Sequence, residues 1–245
     1  SSAEAGQIAG EITSIIAHSD DLLLWGCIDS MWVLRGDPLA GGRNQKVTDM
    51  VGAVDKAAIC RGPEGETYFQ TLSGLFLLAP GAGAFPKNLS GAALPAELLR
   101  VDRTLYDVAL AYAIGDNALH IFITPKAGHA GRHWWFDLKT GTFWPDKYPA
   151  GHQPTAALSY FSHQAAESRT LLGGIDGYVR IFRDEAASED GAETESWVTY
   201  GPLPLARQDL AAGNLLALDA VLDRESGSAT WPVAAASSHE GALRA

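Results

Sequence analysis

The sequence predicts an all-β fold: a β-propeller-like array of about four blade units of short antiparallel strands, with one short helix and a β tail. Three observations carry this. Pairs of apolar segments recur along the chain, each pair joined by a tight turn rich in Gly, Asp or Ser. The composition is turn-rich, with 26 Gly and 12 Pro among 245 residues. The strongly apolar runs are strand-length, far short of the ~20 residues that a membrane-spanning helix needs.

The elements follow in order. In the first unit, a strand at 12–17 precedes segments 22–28 and 31–34, which meet at Asp29 and Ser30 and are stopped by Gly36 and Pro38. In the second, 57–60 precedes 67–72 and 75–78, with a turn at Ser73 and Gly74 and closure at Pro80 and Gly81. The third has two leading strands, 106–112 and 118–123, ahead of 133–137 and 142–144, and closes at Pro145. In the fourth, 155–161 precedes 171–175 and 178–182, which turn at Asp176 and Gly177. Gly reaches positive φ at no steric cost, and Asp or Ser bonds locally, so these turns suit hairpins. The flanks are β-branched and aromatic, as strands prefer. Between the second and third units, Pro95 at a first helical position and apolar residues three or four apart predict a short helix over 94–99.

Units of three or four strands that end in hairpins are the signature of propeller blades, which stack because one blade cannot cover both its faces. A β-sandwich is the competing architecture, since it too has many short strands and frequent turns. Residues 1–183 are read as blades and 184–196 as an acidic loop with six acids and no base; 197–245 are read as closing strands or the start of a second β domain. With no initiator Met and no signal peptide visible, the chain reads as a piece of a longer protein.

A net charge of −11 argues against nonspecific nucleic-acid binding and against adsorption to an anionic membrane. Two cysteines exclude a disulfide framework. His129 and His133 have metal-ligand spacing only on a helix, and the glycines and aromatics around them predict none. Cys27 and Cys60 sit in apolar strands and read as small buried hydrophobes. His18, Ser19, Asp20 and Asp21 hold all the residue types of a hydrolytic triad, but neighbours in an extended segment point in opposite directions. The acidic loop lacks the spacing of a calcium loop, and Gly173, Gly174 and Gly177 join strand to strand without the helix that phosphate binding uses. Asn88, Leu89 and Ser90 match a glycosylation sequon, a common chance match. The seven tryptophans read chiefly as packing between sheets. No catalytic, cofactor-binding or metal-binding residue is assigned, and no cofactor is expected.

Segments 24–38, 68–76 and 172–180 run strand, tight turn, aromatic-rich strand. In this style of repeat the chain resembles the propeller-like hub and neck proteins of tailed bacteriophages and related prophage-derived bacterial proteins. The resemblance spans roughly residues 8 to 200 and includes no diagnostic motif. It implies a non-enzymatic structural module of a phage or prophage particle, found in the virion or in the bacterial cytoplasm before assembly. Its partners would be other protein subunits, with no direct nucleic-acid or membrane contact and with self-association left open. Residues 35–43 and 79–87 would then carry the subunit contacts. The alternative is a carbohydrate-binding or glycoside-cleaving propeller, with carboxylates such as Asp20, Asp55 and Asp107 near inner strands.

Overall fold

The computed structural model describes residues 8, 10–91, 93–94, 99–127, 130–163, 167–183, 188–189 and 191–193. The chain divides into two compact units, Ser1–Thr194 and Glu195–Ala245, and every described residue belongs to the first.

That unit is built from antiparallel meanders. Sheet A contains β1 (Ile12–Ser19), β2 (Leu22–Cys27), β3 (Met31–Arg35) and β4 (Arg43–Thr48). Sheet B contains β5 (Ile59–Arg61), β6 (Thr67–Gln70), β7 (Leu75–Leu78) and β8 (Lys87–Asn88). Sheet C contains β9 (Tyr106–Ala113), β10 (Ala118–Pro125), β11 (Arg132–Asp137) and β12 (Thr142–Asp146). Sheet D has β13 (Pro154–Ser162), β14 (Glu167–Gly174) and β15 (Val179–Phe182). In each sheet the spatial order is the chain order. A two-stranded ribbon, β16 (Ser188–Glu189) with β17 (Ala192–Glu193), follows inside the segment read as an acidic loop.

The first strands of successive sheets lie side by side: β1 with β5, β5 with β9, and β9 with β13. Sequential four-stranded meanders whose first strands gather in this way are propeller blades. The described residues form an all-β, propeller-like array of four blades, as the hairpin pattern predicts. Among the described residues no helix is long and apolar enough to cross a membrane.

Because side chains alternate along a strand, each blade offers one face to the blade before it and one to the blade after. Sheet B turns Ile59, Phe69, Phe76 and Leu78 toward Leu24, Met31 and Val33 of sheet A. Its other face sends Tyr68 and Leu75 into a second core with Leu110, Leu119, Ile121 and Phe136 of sheet C. Tyr68 and Tyr112 stack across that seam, with centroids 6.4 Å apart. The opposite face of sheet C packs Ala109 and Phe122 on Leu172 of sheet D. Cover on both faces accounts for the runs of consecutive buried residues in β6, β9 and β10.

Two expectations need correction, and a third lies largely beyond the described residues. The conspicuous hairpins do not always end a blade. In sheets A and B they are the second and third strands, and the outer strands β4 and β8 follow. β4 reads Arg-Asn-Gln-Lys-Val-Thr, a polar edge strand without apolar alternation, and so leaves no strand signal in the sequence. The acidic run is not wholly loop, since it contains the β16–β17 ribbon. The helix expected over 94–99 falls mainly on residues 95–98, outside the described residues.

Candidate interaction surface

Two loops expected to carry contacts, 35–43 and 79–87, lie against each other. In the first, Asp37 caps a 3-10 turn at Pro38–Ala40, its carboxylate accepting from the Leu39 amide at 2.8 Å. Gly36 at φ 74° and Gly41 at φ 93° reverse the chain on either side. Gly42 has no room for a side chain, because a Cβ there would lie 2.7 Å from the Gly36 carbonyl oxygen. This tight loop holds Leu39 out, 97% exposed. In the second loop, Pro80–Ala82 forms another 3-10 turn, with Gly81 at φ 81° and Ala82 at φ 49°. Phe85 beyond it is 59% exposed.

Arg35 ties the loops together. Its Nε donates to Gln45 Oε1 at 2.8 Å, and its Nη2 donates to the carbonyls of Gly81 at 2.8 Å and Ala82 at 3.2 Å. The guanidinium fork thus spans two blades. A pre-shaped loop pair loses little entropy on binding, and exposed Leu and Phe side chains supply apolar area for a partner to cover.

The other sequence candidates are scattered. His18 is buried, with Nδ1 2.7 Å from Thr67 Oγ1, while Ser19 and Asp20 face solvent. Burial, more than any nearby charge, lowers the His18 pKa. Strand alternation therefore separates the triad residue types, and His18 serves as a bond between sheets A and B. Asp20 lies in the turn after β1, whereas Asp107 is the second residue of β9 and pairs with Lys126 at 3.5 Å. Asp55 precedes β5. Thr13 at the start of β1 bonds to Ala53 ahead of β5, and His18 near its end bonds to Thr67 beside Arg61, so the inner strands run in parallel. Asp20 consequently sits at the opposite end of the blades from Asp55, and these two do not form a glycosidase pair.

Cys27 is buried and Cys60 partly buried, both as free thiols. Burial, with a smaller push from Glu66, raises the Cys60 pKa to about 12, which leaves almost no thiolate. His133 is buried beside Phe122 and Tyr148, and desolvation lowers its pKa to about 4. His129, the other half of the spacing motif, lies outside the described residues. Among the described residues no group of three or more His, Cys, Asp or Glu could hold a metal ion. Asn88 accepts from the backbone amides of Ser90 and Gly91 and from the Ser90 hydroxyl, so it serves the turn.

The aromatic pattern is mixed. Phe76 is buried and Phe143 packs on Phe136 at 4.3 Å, but Tyr178, which also follows a hairpin turn, is 68% exposed. Tyr178 stands just ahead of β15, beside the turn at Asp176 and Gly177. Trp25, Trp32, Trp134 and Trp135 are half-buried, while Trp144 on the outer strand β12 is 51% exposed. Separately, a cleft of about 350 Å³ is lined by Arg100, Val101, Asp102, Tyr106 and Arg132, with the Arg132 guanidinium 4.6 Å from the Tyr106 ring centroid. The loop pair was legible as loops. Its joining by Arg35 was not, because nothing local marks an arginine whose acceptors lie 46 and 47 positions away.

No protein-family model and no curated protein matches the chain. Solved structures do. The extracellular domain of a protein described as a one-component system of B. thetaiotaomicron matches over 74% of this chain at 12% identity and a TM-score of 0.45. A chain described as TolB from Agrobacterium tumefaciens matches over 74% at 14% identity and a TM-score of 0.42. The N-terminal domain of Nup159 matches over 79% at 10% identity and a TM-score of 0.30. This chain spans 22% of the first of these chains and 65% of each of the other two. At such TM-scores the likeness carries no argument about function. The blade architecture rests on the sheet order and on the gathering of the inner strands.

Proposed function

We propose that the chain is a non-enzymatic scaffold module whose rigid blades present paired loops to neighbouring protein subunits. The observation that carries this is the Arg35 bridge, which holds the loops bearing Leu39 and Phe85 in one shape while leaving both side chains exposed. The raised pKa of the Cys60 thiol and the separation of Asp20 from Asp55 support a role without catalysis. The repeat resemblance supplies the setting, a phage or prophage particle, with the partners being its other subunits.

The test is photo-crosslinking from positions 39 and 85 in the source organism. The expected result is that both positions crosslink one protein that co-sediments with a particle, and that Arg35→Ala lowers both yields together. Crosslinking no stronger than from exposed Met50, outside the loop pair, overturns the proposal. The exposed indole of Trp144 favours a second reading, carbohydrate binding, because such a ring can stack on a sugar. Glycan-array binding abolished by Trp144→Ala would favour it, and silence on the array would remove it.

A further inference from the structure

A cleft of about 450 Å³ opens between sheets B and C. Each of these sheets has a described blade on either side, so the cleft owes nothing to how the array ends. Two matching rows lead out to it, each taking one residue from every strand of its sheet. In sheet B the row runs Cys60–Tyr68–Leu77–Lys87, and in sheet C it runs Tyr112–Leu119–Phe136–Phe143. The rows meet at the Tyr68–Tyr112 stack. Farther out they differ, because the outermost member is a phenylalanine in sheet C but a lysine in sheet B, on a strand of only two residues. Sheet B thus offers a long cation where an apolar side chain would close the seam. Tyr68 and Phe136 are buried along the cleft, while Leu77, Leu89 and Leu138 are half-buried and keep apolar area open to it. Lys87 is the one charged residue that lines the cleft. It is exposed and makes no ion pair among the described residues.

We propose that this cleft takes an extended segment of a protein partner, seating one apolar side chain against Leu77, Leu89 and Leu138 and placing a carboxylate beside Lys87. The inference rests on the reading of the chain as a protein-binding scaffold and names the segment it binds. A cleft of this size, apolar with a single polar anchor, suits a buried side chain and a fixed orientation. A lysine stem lies well along apolar surface with its ammonium at the mouth, where a carboxylate meets it partly shielded from water. The segment continues a surface already described, since Phe85, 59% exposed, stands two residues ahead of Lys87. A partner that covers the second loop therefore reaches the cleft next. Alternate residues of an extended segment share one face, so the fitting pattern is an apolar residue and an acid two positions apart. The aromatic rings that line the cleft are buried, which leaves no open ring face there for a sugar.

The test is fluorescence polarisation of the intact chain with an array of short labelled peptides, each carrying Leu or Phe two positions from Glu. Parallel sets carry Lys in place of Glu, or Ser in place of the apolar residue. The expected result is binding by members of the first set and by none of the Ser set. Lys87→Glu, at an exposed position that leaves the fold intact, should weaken that binding about tenfold and shift preference to the Lys set. Lys56→Glu makes the same charge change away from the cleft and should leave the affinity nearly unchanged. The proposal is overturned if no peptide binds at about 1 mM, if Lys87→Glu has no effect, or if Lys56→Glu has an equal one. Crosslinking from positions 39 and 85 reads the loop pair alone. Crosslinks there without peptide binding remove the cleft and keep the loops, and peptide binding without crosslinks does the reverse.

Discussion

Acid should loosen the C–D seam, and His133 sets much of the effect. Its ring lies 5.2 Å from Tyr148 and 5.9 Å from Phe122, centroid to centroid, in the layer that joins sheets C and D. Desolvation lowers its folded pKa to about 4, against about 6.5 in the unfolded chain. Between those values the unfolded chain binds more protons, so stability falls as pH falls and the loss is complete below about pH 4. For a shift of this size the loss is about 2 kcal/mol at pH 5 and about 3 kcal/mol at full protonation. His18, also lowered by burial, acts in the same direction. Asp146, raised by burial, acts in the opposite one, since its proton is held more tightly in the folded chain. Urea titrations followed by tryptophan fluorescence at about pH 7, 6 and 5 measure the slope. The wild type should lose stability steadily, and His133→Gln should keep only the shallower dependence left by His18 and Asp146. Equal slopes in the two proteins would refute the assignment, whatever their absolute stabilities.

Phe122→Ala, which empties a fully buried site, should cost about 3–5 kcal/mol, whereas Tyr178→Ala at an exposed position beside a turn should stay within about 0.5 kcal/mol; thermal melts compare them. Gly177→Val should destabilise by at least about 1 kcal/mol because the residue sits at φ 83°. Gly74→Ala should also destabilise, but for a different reason: its Cβ would lie 2.4 Å from Ser90 Oγ, the acceptor for the Leu75 amide. A double-mutant cycle should therefore find the Gly74→Ala cost reduced in a Ser90→Ala background; additive costs would exclude the clash. Cys60 should resist alkylation at about pH 8 until the chain unfolds, read by mass spectrometry over time.

What the sequence by itself determined is local. The hairpins β2–β3, β6–β7 and β14–β15 were legible because a tight turn depends on a few adjacent residues, and Asp176 with Gly177 meets that need wherever the strands later pack. Strand alternation likewise foretold that His18 and Ser19 would part. Only the tertiary structure decided which face of each strand is covered, because that depends on the blade stacked against it. Phe76 and Tyr178 both follow a turn in an apolar strand. Phe76 is buried because it lies within β7 and packs with Phe69 toward sheet A, and Tyr178 is exposed because it stands ahead of β15, beside its turn. Gly74 was expected to supply positive φ, but its conformation is ordinary and it is needed for the close approach of Ser90, sixteen positions on. Arg35 is the same case on the candidate interaction surface: two of its acceptors are backbone carbonyls of the next blade, and a carbonyl leaves no trace in the amino-acid code.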